Sequence, residues 1–96
     1  MLYAIIATDK AGHLALRIAT RPDHIAYLKS LDQRAKLAGP FVDDAGDMNG
    51  TLLIVDVADR AAAQEIAGND PYAKAGLFQS VDIRAWKWAL KNPEVA

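Results

Sequence analysis

Ninety-six residues, 52% of them apolar and none of them cysteine, suit one folded domain and exclude disulfides, cysteine-ligated zinc, iron–sulfur clusters and thiol catalysis. Eleven basic residues against twelve acidic ones, a formal net charge of −1, are scattered without a basic patch, which argues against a nucleic-acid partner. A monomer of this length buries only about 60–65% of its unfolded surface, so a second subunit is a natural source of stability.

In chain order, residues 2–8 form a continuous apolar run with β-branched members and predict a buried strand. No basic leader precedes the run, and Asp9 and Lys10 end it early. It therefore reads as the first strand of a cytoplasmic protein, too short for a signal peptide or a membrane span. Gly12 opens a loop, with Leu14 to Ile18 as a short helical turn. Thr20 as N-cap, Pro22 in the first turn and Asp23 at the positive end of the dipole predict a helix from about Pro22 to Leu37. Its apolar stripe is Ile25, Leu28, Leu31 and Ala35.

Gly39-Pro40 ends that helix, and Phe41-Val42 begins a short strand. Residues 43–50 are an acidic loop closed by Asn49-Gly50, a hairpin signal. Residues 51–57 are a strand, and Asp59 caps a second helix that runs through about Ala67. Pro71 to Ala75 form a turn, Gly76 a stop, and Leu77 to Trp88 the last strand. Residues 1–90 make one domain, and 91–96 a tail expected to fray.

The order β-α-β-β-α-β predicts an α+β fold of the ferredoxin-like type, an antiparallel sheet with two helices on one face. Two helices cover only that face, yet both alternating sets of the strands are apolar. Leu53, Val55 and Val57 oppose Leu52 and Ile54, and Leu2, Ala4 and Ile6 oppose Tyr3, Ile5 and Ala7. A solvated face would alternate with polar residues. The second face therefore predicts a homodimer, two sheets packed face to face in a barrel-like core closed by symmetry. Ser80, Asp82 and Arg84 then enter that interface or line a cavity beside it. The alternative is an exposed sheet rimmed by tryptophan.

For chemistry, Ser30 and Ser80 stand in no nucleophile elbow. Gly46 to Gly50 lack the strand–loop–helix setting of a phosphate cradle. Asp43, Asp44 and Asp47 lack the spacing of a calcium loop, so no metal is expected. His24, at the border of the long helix's apolar stripe, is placed either as a general acid or base or as a packed histidine donating to a carbonyl. Asp70, held extended by Pro71, either caps the next turn or orients His24, should the end of the second helix approach the first. Arg17 and Arg21 are either guanidinium forks for a small anion or solvated charges. His13 has no evident partner.

The ordered set Arg17, Arg21-x-x-His24-x-x-Tyr27-Leu28, Gly39-Pro40-Phe41, Gly50-Thr51, Asp70-Pro71-Tyr72-x-x-Ala75-Gly76-Leu77 and Val81-Asp82-Ile83-Arg84-Ala85-Trp86 resembles the YciI-like (YCII-related domain) family over about residues 1–88. The resemblance implies a dimeric α+β barrel of ferredoxin-like subunits, with His24 and Asp70 as the acid–base pair of a pocket. It brings in Arg17, Arg21, Phe41, Pro71 and Tyr72 as substrate-binding residues. Relatives include a dehydrochlorinase of chlorinated aromatics, and muconolactone isomerases share the fold. The expected function is a small enzyme without cofactor, working by elimination or isomerisation on a small anionic or phenolic substrate. The alternatives are a non-catalytic dimer that binds a small molecule, and a purely structural dimerisation domain. The acidic loop at 43–50 departs in a region of variable length, so substrate identity does not carry over.

Overall fold

The computed structural model describes residues 1–94. Along them run β1 (Leu2–Asp9), α1 (Leu14–Ser30), a 3-10 turn (Asp32–Arg34), β2 (Ala35–Val42), β3 (Met48–Asp56), α2 (Arg60–Asn69), α3 (Pro71–Lys74) and β4 (Phe78–Trp86). The strands pair antiparallel in the order β2-β3-β1-β4. This is the ferredoxin-like α+β arrangement, with the first and third strands at the centre.

Register decides which side chains meet. Ile5 stands opposite Leu53 on β3 and Ile83 on β4, and Tyr3 stands opposite Val55. Side chains alternate along a strand, so these residues share one face. There they form the core with Leu31, Ala63, Ile66 and Ala67. The opposite face carries Ala4, Ile6, Leu52 and Ile54, flanked by Leu37, Arg84, Trp86 and Trp88. Leu37 and Trp86 are 38% and 37% exposed. Among the described residues no helix lines this apolar trough.

The long helix departs from the sequence expectation at both ends. α1 begins at Leu14, not Pro22, and ends at Ser30, not Leu37. The fully buried residues of α1 are Arg17 and His24, with Tyr27 and Leu28 packed against the core only near its end, so its first half escapes a search for apolar periodicity. Pro22 sits inside the helix rather than in its first turn. Its ring removes the amide that would bond the Ile18 carbonyl, and both residues are exposed, which leaves that carbonyl on the wet side. The helix stops where Asp32 takes a left-handed φ of +53°, a conformation aspartate tolerates better than most side chains.

Extended backbone therefore starts at Ala35, and Gly39-Pro40 lie within β2 instead of ending a helix. Proline is accepted there because β2 is an edge strand with one unpaired side. The hairpin also turns earlier than Asn49-Gly50. Asp43 Oδ1 accepts from the Ala45 and Asp47 amides at 2.9 and 3.0 Å, and Gly46 has φ +88°. Gly50 has a different reason to be glycine: a Cβ there would lie 2.6 Å from the Ala7 carbonyl oxygen.

α2 starts as expected, with Asp59 accepting from the Ala62 amide at 2.9 Å. β1 is anchored at its start by the Met1 ammonium, 2.9 Å from Asp56 Oδ1, and the hydrogen bond it donates holds the Asp56 carboxyl below its usual range. In the tail, Glu94 Oε1 accepts from Lys36 Nζ at 2.6 Å; residues 95 and 96, also expected to fray, lie outside the described residues. Among the described residues no helix is long and apolar enough to cross a membrane.

Candidate active site

Arg17, Arg21, His24 and Leu28 are spaced by four, three and four, which places them on one face of α1. Across from that face, α2 has ended and Asp70 is extended, with φ −60° and ψ 130°, as the following proline requires. Pro71 then takes the first position of α3, where its missing amide costs nothing. Asp70 caps this short helix, accepting from the Tyr72 amide at 2.9 Å. The same carboxylate lies 2.9 and 3.0 Å from His24 Nδ1. The two readings of Asp70, cap and histidine partner, are thus satisfied together.

A carboxylate oxygen accepts, so Nδ1–H donates to Asp70, which leaves Nε2 as the second ring nitrogen. Both side chains are 6% exposed. Nε2 has no partner among the described residues, yet no buried side-chain nitrogen or oxygen goes unbonded there. Nε2 therefore opens to the cavity that His24 lines.

The Tyr72 ring stacks on His24 with centroids 4.1 Å apart and planes 22° apart. The Arg17 guanidinium carbon lies 4.4 Å from the Tyr72 centroid. Arg17 and His24 are two helical turns apart, about 10.5 Å along the axis, and the ring fills the space between them. Arg17 is itself held by Asp9, through Nε at 2.6 Å and Nη2 at 3.1 Å, and by Thr51 Oγ1 at 2.6 Å. Asp9 stands two residues beyond Ala7 on the alternating set of β1 that includes the core residues Tyr3 and Ile5, so its carboxylate is on the side of the sheet that α1 covers. Burial pushes the Tyr72 phenol up, and the Arg17 and Arg21 charges offset this only in part. The phenol accordingly stays protonated at neutral pH as a hydrogen-bond donor.

The cavity has a volume of about 130 Å³, close to the roughly 150 Å³ that encloses one benzene ring in a protein core. Arg17, Arg21, His24, Thr51 and Tyr72 form its polar side, and Ile25, Leu28, Pro40 and Met48 its apolar side. One flat ring with polar substituents on one edge matches that lining. The larger trough on the open sheet face has Arg84 as its one charged wall residue and no acid–base pair.

Of the residues expected from sequence, His24, Asp70 and Tyr72 come together. Arg21 is exposed and lines the same cavity. Arg17 is in the wall, but Nε and Nη2 are already committed to Asp9 and Thr51. Phe41 is 39% exposed and packs beside Gly50, away from the cavity lining. Pro71 shapes the backbone and does not line the cavity. Sequence reasoning missed Asp9 and Thr51. The available signal for Asp9 was a carboxylate closing an apolar strand eight residues before an arginine.

The sequence matches the YCII-related domain family over residues 1–87. It is 38% identical to protein YciI of Escherichia coli over 95 residues, covering 91% of this chain and 97% of that protein. It is 34% identical over 95 residues to an uncharacterized protein of Haemophilus influenzae, with the same coverage of 91% and 97%. Among solved structures it is similar to the 5-chloro-2-hydroxyhydroquinone dehydrochlorinase TftG of Burkholderia phenoliruptrix in complex with 2,5-dihydroxybenzoquinone. That likeness has a TM-score of 0.83 and 34% identity, covering 91% of this chain and 94% of the other.

Proposed function

The chain belongs to the YCII-related domain family, and on that premise we propose that it is a small acid–base enzyme. Its substrate is a single-ring anionic or phenolic compound, and its reaction an elimination or isomerisation. The observation that carries this reading is the buried His24–Asp70 contact of 2.9 Å with Nε2 left open to a ring-sized cavity. A neutral imidazole with its other nitrogen bonded to a carboxylate is a base at Nε2, and the carboxylate stabilises the imidazolium once the proton has moved. Arg21 and the Tyr72 hydroxyl lie on the polar side, suited to holding the oxygens of a phenolate or enolate.

For a chlorinated hydroquinone the steps balance as loss of HCl. Nε2 takes a proton from a ring hydroxyl and returns it to ring carbon, which gives the keto form. Removal of a second proton sends an electron pair through the ring and expels chloride. One histidine that alternates between base and acid is sufficient. With 5-chloro-2-hydroxyhydroquinone as the probe, the protein is expected to release chloride and to be stabilised against heat by 2,5-dihydroxybenzoquinone. Stabilisation without chloride release favours a binding module, and neither effect contradicts the proposal altogether.

The working unit in this reading is a homodimer. Ala4, Ile6, Leu52 and Ile54 form an apolar face that no helix among the described residues covers, and in this reading a second copy of the sheet covers it by symmetry. Sedimentation equilibrium should give about twice the chain mass of 10.4 kDa. Ile6→Asp, which places a charge in the middle of that face, should shift the mass toward the monomer. A monomeric wild type at micromolar concentration contradicts the dimer.

A further inference from the structure

The hydrogen bond to Asp70 fixes where His24 is, but not how its ring is turned. Nδ1 is nearly equidistant from the two carboxylate oxygens, at 2.9 and 3.0 Å, and a contact made through one ring atom leaves rotation about its own axis. A base works only when its lone pair meets the proton in line, so a second constraint has to set the plane. The Tyr72 ring supplies it, lying 22° from parallel to the imidazole.

Tyr72 in turn makes no side-chain hydrogen bond among the described residues, and it sits on a helix of only four residues, too short to be rigid on its own. The position of its ring is set by what packs on it: His24, the Arg17 guanidinium, and Phe78, which meets it edge-on with centroids 6.0 Å apart. Arg17, a long flexible side chain, is held there by the three hydrogen bonds it donates, two to Asp9 and one to Thr51. Asp9 does not line the His24 cavity, and strand alternation puts it on the same side of β1 as the core residues Tyr3 and Ile5.

We propose that Asp9 is a positioning residue for His24: by clamping Arg17 against Tyr72 it sets the plane in which the imidazole presents Nε2. This rests on the acid–base reading of His24. It assigns to a strand end outside the cavity a part in catalysis that contact with substrate does not explain.

The test compares wild type, Asp9→Asn, Arg17→Lys and Tyr72→Phe by two readouts. The first is kcat and KM with 5-chloro-2-hydroxyhydroquinone. The second is the NMR shift of the His24 ring protons in the ligand-free protein, with His13 as the internal reference. Wild-type His24 protons are shielded by the Tyr72 face. Asp9→Asn and Arg17→Lys are expected to move them downfield and to lower kcat about 10- to 100-fold with KM changed less than about twofold. Tyr72→Phe, which keeps the ring, retains the shielding. Unmoved His24 signals in the folded variants, or a raised KM at unchanged kcat, overturn the proposal. Should Asp9→Asn fail to fold, Arg17→Lys decides, since it keeps the charge and removes the flat guanidinium. A wild type without turnover sinks the acid–base reading alone, while the NMR readout still decides whether Asp9 positions the ring.

Discussion

His24→Ala is expected to lower kcat by about 10²- to 10⁴-fold, the usual worth of a positioned general acid–base group, while the circular dichroism of the folded chain is kept. Deleting the imidazole removes the one ring nitrogen that faces the cavity. It also leaves the Asp70 carboxylate, 6% exposed, with the Tyr72 amide as its remaining partner. That loss costs roughly 1–3 kcal/mol of stability, less than the total of about 5–15 kcal/mol usual for a folded domain. Asp70→Asn separates the two duties of Asp70. The amide oxygen still caps α3, but it no longer stabilises an imidazolium or enforces the Nδ1–H tautomer, so kcat should fall about 10²-fold or more with little change in melting temperature. Initial rates of chloride release check both variants. His24→Ala at the wild-type rate would remove the histidine from the chemistry.

Arg17→Ala is expected to cost about 3–5 kcal/mol of unfolding free energy, the range found when one member of a buried ion pair is deleted. The Arg17 and Asp9 side chains are 2% and 5% exposed, so solvent does not screen what is lost. The substitution strips Asp9 of both its hydrogen bonds from Arg17, leaves Thr51 Oγ1 without its donor and uncovers one face of Tyr72. Domains of this size are stable by only about 5–15 kcal/mol, so the variant sits near the edge of folding. Replacing both members, as in Arg17→Met with Asp9→Leu, should recover much of the stability, because no charge is then left buried alone. Urea denaturation measures both effects. A loss below about 1 kcal/mol for Arg17→Ala would place the pair with ordinary surface ion pairs.

The same two residues explain how far the amino-acid sequence could be read. The runs at 2–8 and 51–57 are apolar on both alternating sets, and Asp59 stands one residue before a small-residue helix; these features mark their elements without ambiguity. The fold made a meeting of His24 with Asp70 possible, since both helices of a ferredoxin-like chain lie on one sheet face, but the sequence left it open beside a plain cap for Asp70. The first helix was harder. Its fully buried positions are Arg17 and His24, whose burial depends on Asp9, Thr51 and Asp70, residues up to 46 positions away. Hydrophobic periodicity counts apolar groups, so a helix that buries its chemistry reads as a loop until its partners are known. The end of that helix was hidden for a local reason: Asp32 adopts the left-handed conformation that glycine usually marks, while the visible glycine and proline at positions 39 and 40 belong to an edge strand.

The most direct measurement is a crystal structure with 2,5-dihydroxybenzoquinone bound. The ring is expected in the cavity between Pro40 and His24, with one of its oxygens about 2.6–3.2 Å from Nε2, the reach a proton transfer needs. The Nδ1 contact to Asp70 should be unchanged. A ligand seated instead on the open sheet face beside Trp86, with Nε2 touching nothing but protein, would contradict an active site built on His24.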